Sequence, residues 1–294
     1  MIKRIETDLL EIGYRDYGNA NDIPVILLHG FPYDINAFNE TSEILSKNGC
    51  RVLTPFLRGF GETKFKSELT MRSGQQAALA HDIIDFMNAL HIDKAIIGGY
   101  DWGGRASCIV SALWSERILG LVSVGGYTIQ NIEASKEPSF PNFEQLYWYQ
   151  YYFHSERGRK GLEKYRKELC KILWSDWSPN WKFDNNTYEV TAQSFENSDF
   201  VDVVIHSYRH RYALVGGDKR YDETEKRLAD LPAIRVPTIV LDPGSDGVVP
   251  LIGNEDDSEY FIGKYKRKIL QGIGHNLPQE AAADFAEAIL ELKN

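Results

Sequence analysis

The sequence predicts an α/β protein in which a mostly parallel β-sheet is flanked by helices and interrupted by a helical insertion. Short apolar runs that end in glycine, such as residues 23–30 and 94–98, alternate with segments of helical periodicity, such as residues 74–92. This alternation is typical of parallel sheets that are covered on both faces. It stops between residues 129 and 230, where aromatic and charged segments replace the apolar strands.

The individual elements follow this pattern from the amino terminus onward. Residues 8–18 predict a two-stranded hairpin, and residues 37–49 predict an amphipathic helix that Asn48-Gly49 terminates. Residues 279–293 predict a terminal helix. Buried strands are predicted at residues 23–30, 51–56, 94–98, 117–126, 236–244 and 265–275.

The interruption divides the 294-residue chain into three stretches. Residues 1–128 and 231–294 are predicted to form one α/β core, and residues 129–230 a helical cap inserted after the sixth strand. The chain is 43% hydrophobic, which is enough to bury a large core that carries an insertion.

The composition argues against several classes of partner. The net charge is −9, which disfavours binding to nucleic acid and to anionic membranes. We expect the short basic stretches at 208–212 and 264–268 to be solvated faces or local ion pairs. The first residues lack the apolar centre of a signal peptide, and no apolar run is long enough for a transmembrane helix. The expected partner is a small-molecule substrate, and the oligomeric state stays open, with a homodimer as one option.

The cysteines indicate neither a disulfide framework nor a zinc site. Cys50, Cys108 and Cys170 are far apart, and no C-x-x-C spacing occurs. We therefore expect a reducing, cytoplasmic location and no bound metal.

The most informative stretch is GGYDWGG, residues 98–104. It lies between a predicted strand and a predicted helix, which is the layout of a nucleophile elbow. Such elbows usually carry serine in the pattern G-x-S-x-G, whereas here Asp101 is at the tip. A carboxylate is already ionised at neutral pH, so it can attack without a base. The alternative is that Asp101 only caps the following helix.

An elbow nucleophile needs an acid and a histidine, which follow it in the chain in that order. Asp246 lies in the loop after the strand at 236–244, and His275 follows the last strand. Asp242 is the nearest rival to Asp246, which could also be an ordinary turn residue, and His275 could be structural. A serine esterase is less well supported, because Ser107 and Ser111 lie within the helix after the elbow. A non-catalytic binding protein is the remaining alternative.

Several motifs in order resemble the aspartate-nucleophile branch of the α/β-hydrolase fold, which contains epoxide hydrolases and haloalkane or haloacetate dehalogenases. The resemblance implies a cofactor-independent hydrolase in which Asp101 forms an ester with the substrate. His275 would activate water to hydrolyse that ester, Asp246 would orient His275, and the main-chain N–H groups of Phe31 and Trp102 would form the oxyanion hole. The motifs are HGFP (29–32), RGFGET (58–63), GYDWGG (99–104), PGSDG (243–247) and GIGHNLP (272–278).

Epoxide hydrolysis is the favoured reaction, because the insertion resembles a cap with two ring-opening tyrosines. YQYYFHSERG resembles the first tyrosine motif at Tyr152, and HSYRHRY the second at Tyr208. Tyr149 lies one helical turn before Tyr152, and Tyr212 one turn after Tyr208, so both are rivals that could instead bind substrate.

Dehalogenation is the alternative reaction. Trp102 fits the halide-binding tryptophan of haloalkane dehalogenases, but Phe31 occupies the place of their halide-binding asparagine. Haloacetate dehalogenases grip the substrate carboxylate with two arginines after the nucleophile, and here Arg105 fills only the second position. Arg105 could therefore bind a substrate carboxylate, or it could pair with an acid of the core.

Overall fold

The computed structural model describes residues 1–251 and 257–293. Nine strands occur in this part of the chain, and residues from 101 onward contribute only three of them. The strands are β1 (Lys3–Glu6), β2 (Leu10–Tyr17), β3 (Ile23–Leu28), β4 (Cys50–Pro55), β5 (Lys64–Phe65), β6 (Ala95–Gly99), β7 (Ile118–Val124), β8 (Thr238–Pro243) and β9 (Tyr265–Leu270).

The strands form one sheet in the order β1-β2-β4-β3-β6-β7-β8-β9, with β5 paired to β2. The pairs that involve β1, β2 and β5 are antiparallel, whereas β4, β3, β6, β7, β8 and β9 pair in parallel. The predicted α/β fold class with a mostly parallel sheet is confirmed. Because the carboxyl ends of parallel strands share one edge, the loops after β3, β6, β8 and β9 converge there.

Helices flank the sheet and fill the insertion. In the core, α1 packs against α11, and α2 packs against α3. None of the described helices has both the length and the apolar composition needed to cross a membrane. The helices are α1 (Asn39–Lys47), α2 (Gln76–Ala89), α3 (Asp101–Leu113), α4 (Pro141–Leu146), α5 (Trp148–His154), α6 (Glu156–Trp177), α7 (Asn185–Ala192), α8 (Phe200–His210), α9 (Asp222–Ala229), α10 (Leu277–Glu280) and α11 (Ala282–Lys293).

Two details of the predicted topology are wrong. Residues 8–18 do not form a hairpin, because β2 is one continuous strand that pairs with β1 across a turn at Thr7. The Thr7 side chain closes that turn by hydrogen bonds with the main chain of Leu10. The insertion follows the seventh strand rather than the sixth, since the two-residue strand β5 is too short to leave a periodic pattern.

The helices α4–α9 lie between β7 and β8, within the segment predicted as the cap. Polar contacts attach this segment to the loop after β3. The buried Asp34 carboxylate accepts hydrogen bonds from Thr191 Oγ1 and Ser194 Oγ, at 3.0 and 2.6 Å. Trp174 Nε1 donates to the main-chain oxygen of Pro32 at 2.8 Å. The insertion is therefore held directly above the carboxyl edge of the sheet.

A buried ion pair fixes the loop after β4 to α2. The guanidinium of Arg58 donates two 2.6 Å hydrogen bonds to the Asp82 carboxylate, and the two side chains are 1% and 7% exposed. The same guanidinium also donates to the main-chain oxygen of Ser73 and to the Tyr221 hydroxyl. Removing either partner would leave a buried charge without compensation.

We expect Asp82→Ala to lower the free energy of unfolding by about 3–5 kcal/mol, because Arg58 would stay charged and buried. Glu6→Ala is the control, because it removes an exposed ion pair with Lys66 that is worth about 0–1 kcal/mol. Urea unfolding followed by circular dichroism measures both values. Equal losses in the two variants would show that the buried pair does not stabilise the fold.

Candidate active site

The turn that follows β6 presents Asp101 at the carboxyl edge of the sheet. Tyr100 is extended, and Asp101 begins α3 with a φ of +52°. Residues other than glycine rarely adopt this left-handed region, and such strain clusters at functional sites. A Cβ on Gly103 would lie 2.1 Å from the main-chain oxygen of Leu28, and one on Gly99 would lie 2.5 Å from Gly103. Only glycine at both positions allows the turn to pack this closely.

Two main-chain N–H groups hold the Asp101 carboxylate. Oδ1 accepts a 2.7 Å hydrogen bond from the N–H of Phe31, and the N–H of Trp102 also favours the charged form of the carboxylate. Gly30 makes this approach possible, because a Cβ there would lie 2.2 Å from Oδ1. The two donors come from different loops, so they form a small anion pocket rather than an ordinary helix cap.

The charges around Asp101 keep its carboxylate ionised. Burial alone would raise the pKa of Asp101. The close positive charge of His275, the charge of Arg211 and the N–H of Trp102 outweigh burial and lower this pKa below its ordinary value. Asp101 is therefore a carboxylate at neutral pH, as a nucleophile requires.

His275 and Asp246 meet beside this carboxylate, on the loops after β9 and β8. Nδ1 of His275 lies 2.7 Å from Oδ2 of Asp246, and Oδ1 of Asp246 accepts from the N–H groups of Val248 and Val249 at 2.8 and 2.9 Å. Nε2 of His275 lies 3.7 Å from Oδ2 of Asp101. Within the described residues Nε2 has no hydrogen-bond partner, so it is available for a water or a substrate.

The two carboxylates control the protonation of His275. Burial would lower the pKa of His275, but the charges of Asp246 and Asp101 and the hydrogen bond to Asp246 raise it to about 10. The imidazole is therefore protonated at neutral pH as long as Asp101 is ionised. Because one of those carboxylates is Asp101, any chemistry that neutralises Asp101 lowers the pKa of His275.

Asp242, the rival acid, has a different environment. Its carboxylate accepts from Arg267 on the neighbouring strand β9, with a contact of 3.0 Å to Nη2. Asp242 belongs to β8 itself, whereas Asp246 lies beyond the strand end, where the loops converge. The structure thus places Asp246, and not Asp242, beside His275.

A cavity of about 490 Å³ lies between the core and the helical insertion. Asp101, Asp246 and His275 line it from the core, and Tyr149 and Tyr212 line it from the insertion.

Two tyrosines of the insertion approach the Asp101 carboxylate. Tyr149 is 3% exposed, and its ring packs edge-on against the buried ring of Tyr208, with 5.3 Å between centroids. The Tyr208 ring also packs against Trp102 at 5.8 Å and against Phe31 at 5.5 Å. Burial is the largest cause that raises the pKa of both phenols, and the nearby Asp101 charge adds to it. Both phenols are therefore protonated donors at neutral pH.

Tyr152 does not join this group, which corrects the predicted register of the first tyrosine. It is outside the cavity lining, and its hydroxyl lies against Gly161 on α6, where a Cβ would be only 2.0 Å away. Tyr149, one turn earlier on α5, faces the cavity instead. The sequence could not separate the two, because both lie in a run of aromatic residues with similar spacing.

Two arginines also line the cavity, and only Arg105 was a candidate from the sequence. Arg105 has no ion pair with an acid of the described core; its Nη1 donates to Oε1 of Gln130 at 3.0 Å. Arg211 belongs to the basic stretch 208–212, which we expected to be a solvated face or local ion pairs. Arg209 fits that expectation by pairing with Glu156, but Arg211 faces the cavity, with its guanidinium carbon 4.5 Å from the Tyr208 ring centroid.

Nothing in the described residues suggests a metal centre, since no group of three or more histidine, cysteine or acidic side chains is placed to hold an ion. The three cysteines are buried and unpaired. The chemistry that the site offers is thus that of a carboxylate nucleophile, a histidine with its acid, and buried phenols.

Comparison with known proteins finds similar chains named epoxide hydrolase and haloalkane dehalogenase. A crystal structure from Klebsiella pneumoniae subsp. pneumoniae, provisionally named an epoxide hydrolase, matches with a TM-score of 0.97 and 40% identity over 99% of this chain and 96% of that chain. Epoxide hydrolase A of Mycobacterium tuberculosis is 20% identical over 98% of this chain and 95% of its own length. Haloalkane dehalogenase of Mycobacterium marinum is 30% identical, over 42% of this chain and 40% of its own length.

The family assignment rests on a match that spans most of the chain. The sequence model of the alpha/beta hydrolase fold matches residues 23–282, which include the elbow, the acid and the histidine. The resemblance predicted from the ordered motifs is confirmed: the chain belongs to the α/β-hydrolase fold family.

Proposed function

We propose that the protein is an epoxide hydrolase that converts an epoxide to a vicinal diol through an ester on Asp101. The observation that carries this proposal is the placement of two buried phenols beside an ionised carboxylate: Tyr149 lines the cavity together with Asp101, and Tyr208 packs against Tyr149 and Trp102. An epoxide oxygen leaves as a strongly basic alkoxide and needs a proton donor, which a phenol supplies. The names of the Mycobacterium tuberculosis and Klebsiella pneumoniae proteins agree with this function.

In the first step, Oδ2 of Asp101 attacks a ring carbon of the epoxide. Oδ1 is occupied by the N–H of Phe31, so Oδ2 is the oxygen that is free to react. The carbon–oxygen bond of the ring breaks, and the leaving oxygen takes a proton from Tyr149 or Tyr208. The product is a hydroxyalkyl ester of Asp101.

In the second step, His275 activates a water molecule. Formation of the ester removes the Asp101 charge, so the pKa of His275 falls and the imidazole can release its proton, which restores the tyrosine. Nε2 then accepts a proton from a water that attacks Cγ of Asp101, while Asp246 stabilises the imidazolium. The oxyanion on Oδ1 is held by the N–H groups of Phe31 and Trp102. The ester bond from Cγ to Oδ2 breaks, and the leaving oxygen takes the remaining proton of the attacking water. The diol leaves, with Asp101 again a carboxylate and His275 again protonated.

The segment 129–230 then acts as the cap that covers the site, and residues 1–128 and 231–294 form the catalytic core. The buried, unpaired cysteines fit a reducing cytoplasmic location.

Dehalogenation through the same ester is the second candidate function. The buried indole N–H of Trp102 has no hydrogen-bond partner in the described part of the chain, and such a donor can hold a departing halide. Phe31 occupies the expected second halide-binding position, and it has no side-chain donor. Release of free halide from chloroalkanes or bromoalkanes at rates comparable to epoxide turnover would favour this function.

Covalent catalysis is tested by trapping the ester. His275→Gln should remove ester hydrolysis but leave alkylation, so intact-protein mass spectrometry with styrene oxide should show one added substrate mass. Peptide mapping should place that mass on Asp101. Asp101→Ala is the matched control and should show no adduct. An adduct on a different residue would contradict the proposed nucleophile.

The tyrosine assignment is tested by removing single hydroxyl groups. Tyr149→Phe and Tyr208→Phe should each slow epoxide alkylation, by up to ~10²–10⁴ for a positioned acid, when single-turnover rates are measured. Tyr152→Phe should alkylate at the parental rate, because its hydroxyl faces Gly161. If only Tyr152→Phe were slow, the register taken from the sequence would be the correct one.

The raised pKa of His275 predicts a pH dependence of stability. A group whose pKa rises from 6.5 to about 10 on folding stabilises the fold fully below pH 6.5, and this contribution disappears as the pH rises through about 10. The difference in unfolding free energy between the parent and His275→Gln should therefore shrink between those values. Urea titrations of both proteins at several pH values measure this difference in unfolding free energy. A difference that does not change with pH would mean that His275 is neutral in the folded protein.

A further inference from the structure

Arg105 and Arg211 lie on one side of the cavity without an acidic partner. No carboxylate among the described residues is within ion-pair distance of either guanidinium, although ion pairs are frequent elsewhere in the molecule. Arg105 keeps one hydrogen bond, from Nη1 to Oε1 of Gln130. The Nε atoms of both arginines are buried and have no hydrogen-bond partner in the described structure.

Two such cations are costly to hold together. Burial, followed by the charge of Arg211, lowers the pKa of Arg105 to about 10. Buried guanidinium groups in proteins are normally paired with an anion. The Asp101 charge partly compensates Arg105, but that charge disappears when the ester forms. The described residues therefore provide no anion that neutralises this arginine pair.

Each of the two arginines follows one of the reacting groups closely in the chain. Arg105 follows Asp101 by four residues on α3, and Arg211 follows Tyr208 by three residues at the end of α8. Residues with this spacing are neighbours on a helix, with about 5–6 Å between Cβ atoms. Arg211 is thus a helical neighbour of Tyr208, whereas Arg105 follows the left-handed Asp101 within the first residues of α3.

Gln130 connects the two arginine-bearing segments. Its Oε1 accepts from Arg105, and its Nε2 donates to the main-chain oxygen of Arg211 at 2.9 Å. The main chain of Gln130 is itself held by the side chain of Gln76, in two hydrogen bonds of 2.7 and 3.1 Å. The arginine from the core and the arginine from the insertion are therefore positioned together.

We infer that Arg105 and Arg211 bind a carboxylate of the substrate, so that the enzyme acts preferentially on short epoxy acids in which the carboxylate is adjacent to the ring. The guanidinium groups match a carboxylate in charge and in donor geometry. Both arginines line the same cavity as Asp101, which favours a short distance between carboxylate and epoxide. The inference that epoxy acids are the reaction substrates rests on the proposed function. The inference that the two arginines bind a carboxylate does not.

Other charged residues of the cavity do not neutralise the arginine pair. Lys136, Glu137 and Glu144 line the same cavity from the segment before α5. Glu144 accepts from the N–H of Ser139, and Lys136 pairs with Glu133. None of the acidic side chains there forms an ion pair with the arginines.

The test compares two epoxides of the same shape, glycidate and its neutral amide glycidamide. The parent should turn over glycidate with a kcat/KM at least 100-fold above that for glycidamide. Arg105→Met and Arg211→Met should each reduce this ratio at least tenfold, chiefly through KM for glycidate. Arg209→Met is the matched control, because Arg209 pairs with Glu156 outside the cavity lining and should leave the ratio unchanged.

Binding without reaction separates the inference from the proposed function. Glycerate, the diol of glycidate, should bind to the parent in isothermal titration calorimetry, and glyceramide should bind at least tenfold more weakly. Both arginine variants should lose the difference. If neither epoxide reacts but this arginine-dependent binding of glycerate is seen, the anion site stands and the epoxide hydrolase function fails.

Two outcomes would overturn the inference while leaving the hydrolase intact. The first is equal kcat/KM values for glycidate and glycidamide in the parent. The second is an equal loss on both substrates in Arg211→Met, which would mean that Arg211 acts only on Tyr208. The charge of Arg211 lowers the pKa of the Tyr208 phenol, so an effect of Arg211 on this proton donor is physically reasonable.

Discussion

The left-handed backbone of Asp101 is the constraint on which the rest of the site depends. With φ at +52°, the chain reverses between β6 and α3 within one residue, and the carboxylate projects beyond the sheet edge. The turn requires a close approach of α3 to β3, which the missing side chain of Gly103 allows. The same approach brings the N–H of Phe31 to Oδ1. Strain in one residue therefore places the Asp101 carboxylate at the sheet edge and brings a main-chain N–H group against it.

Charge balance connects the two steps of the proposed reaction. In the free protein, His275 lies between the Asp101 and Asp246 carboxylates and holds a proton that helps to keep Asp101 ionised. Once Asp101 is an ester, only Asp246 remains to stabilise that proton, so the same imidazole becomes a better base. One geometry thus favours the nucleophile before alkylation and the base after it, without movement of either side chain.

The helical insertion contributes chemistry as well as cover. It supplies Tyr149 and Arg211 to the cavity lining and packs Tyr208 against Trp102, while the core supplies Asp101 and Arg105 to the lining. These two sets meet correctly only if the insertion is held in place. The Asp34 carboxylate, buried between the loop after β3 and the segment around Ser194, is one such attachment. Burial raises the pKa of Asp34 to about 6, although four hydrogen bonds oppose that rise.

The sequence by itself determined the parallel α/β core, the family, and the candidates Asp101, Asp246 and His275, because strands, elbow and catalytic loops leave local, ordered patterns. It did not distinguish Tyr149 from Tyr152, since neighbouring turns of an aromatic helix share one composition. It also gave no sign that Arg211 faces a cavity, because an exposed and a buried arginine in HSYRHRY look alike. Only the tertiary structure decided these points. The orientation of α5 and α8 above the sheet depends on contacts between residues far apart in the chain, such as Trp174 with Pro32.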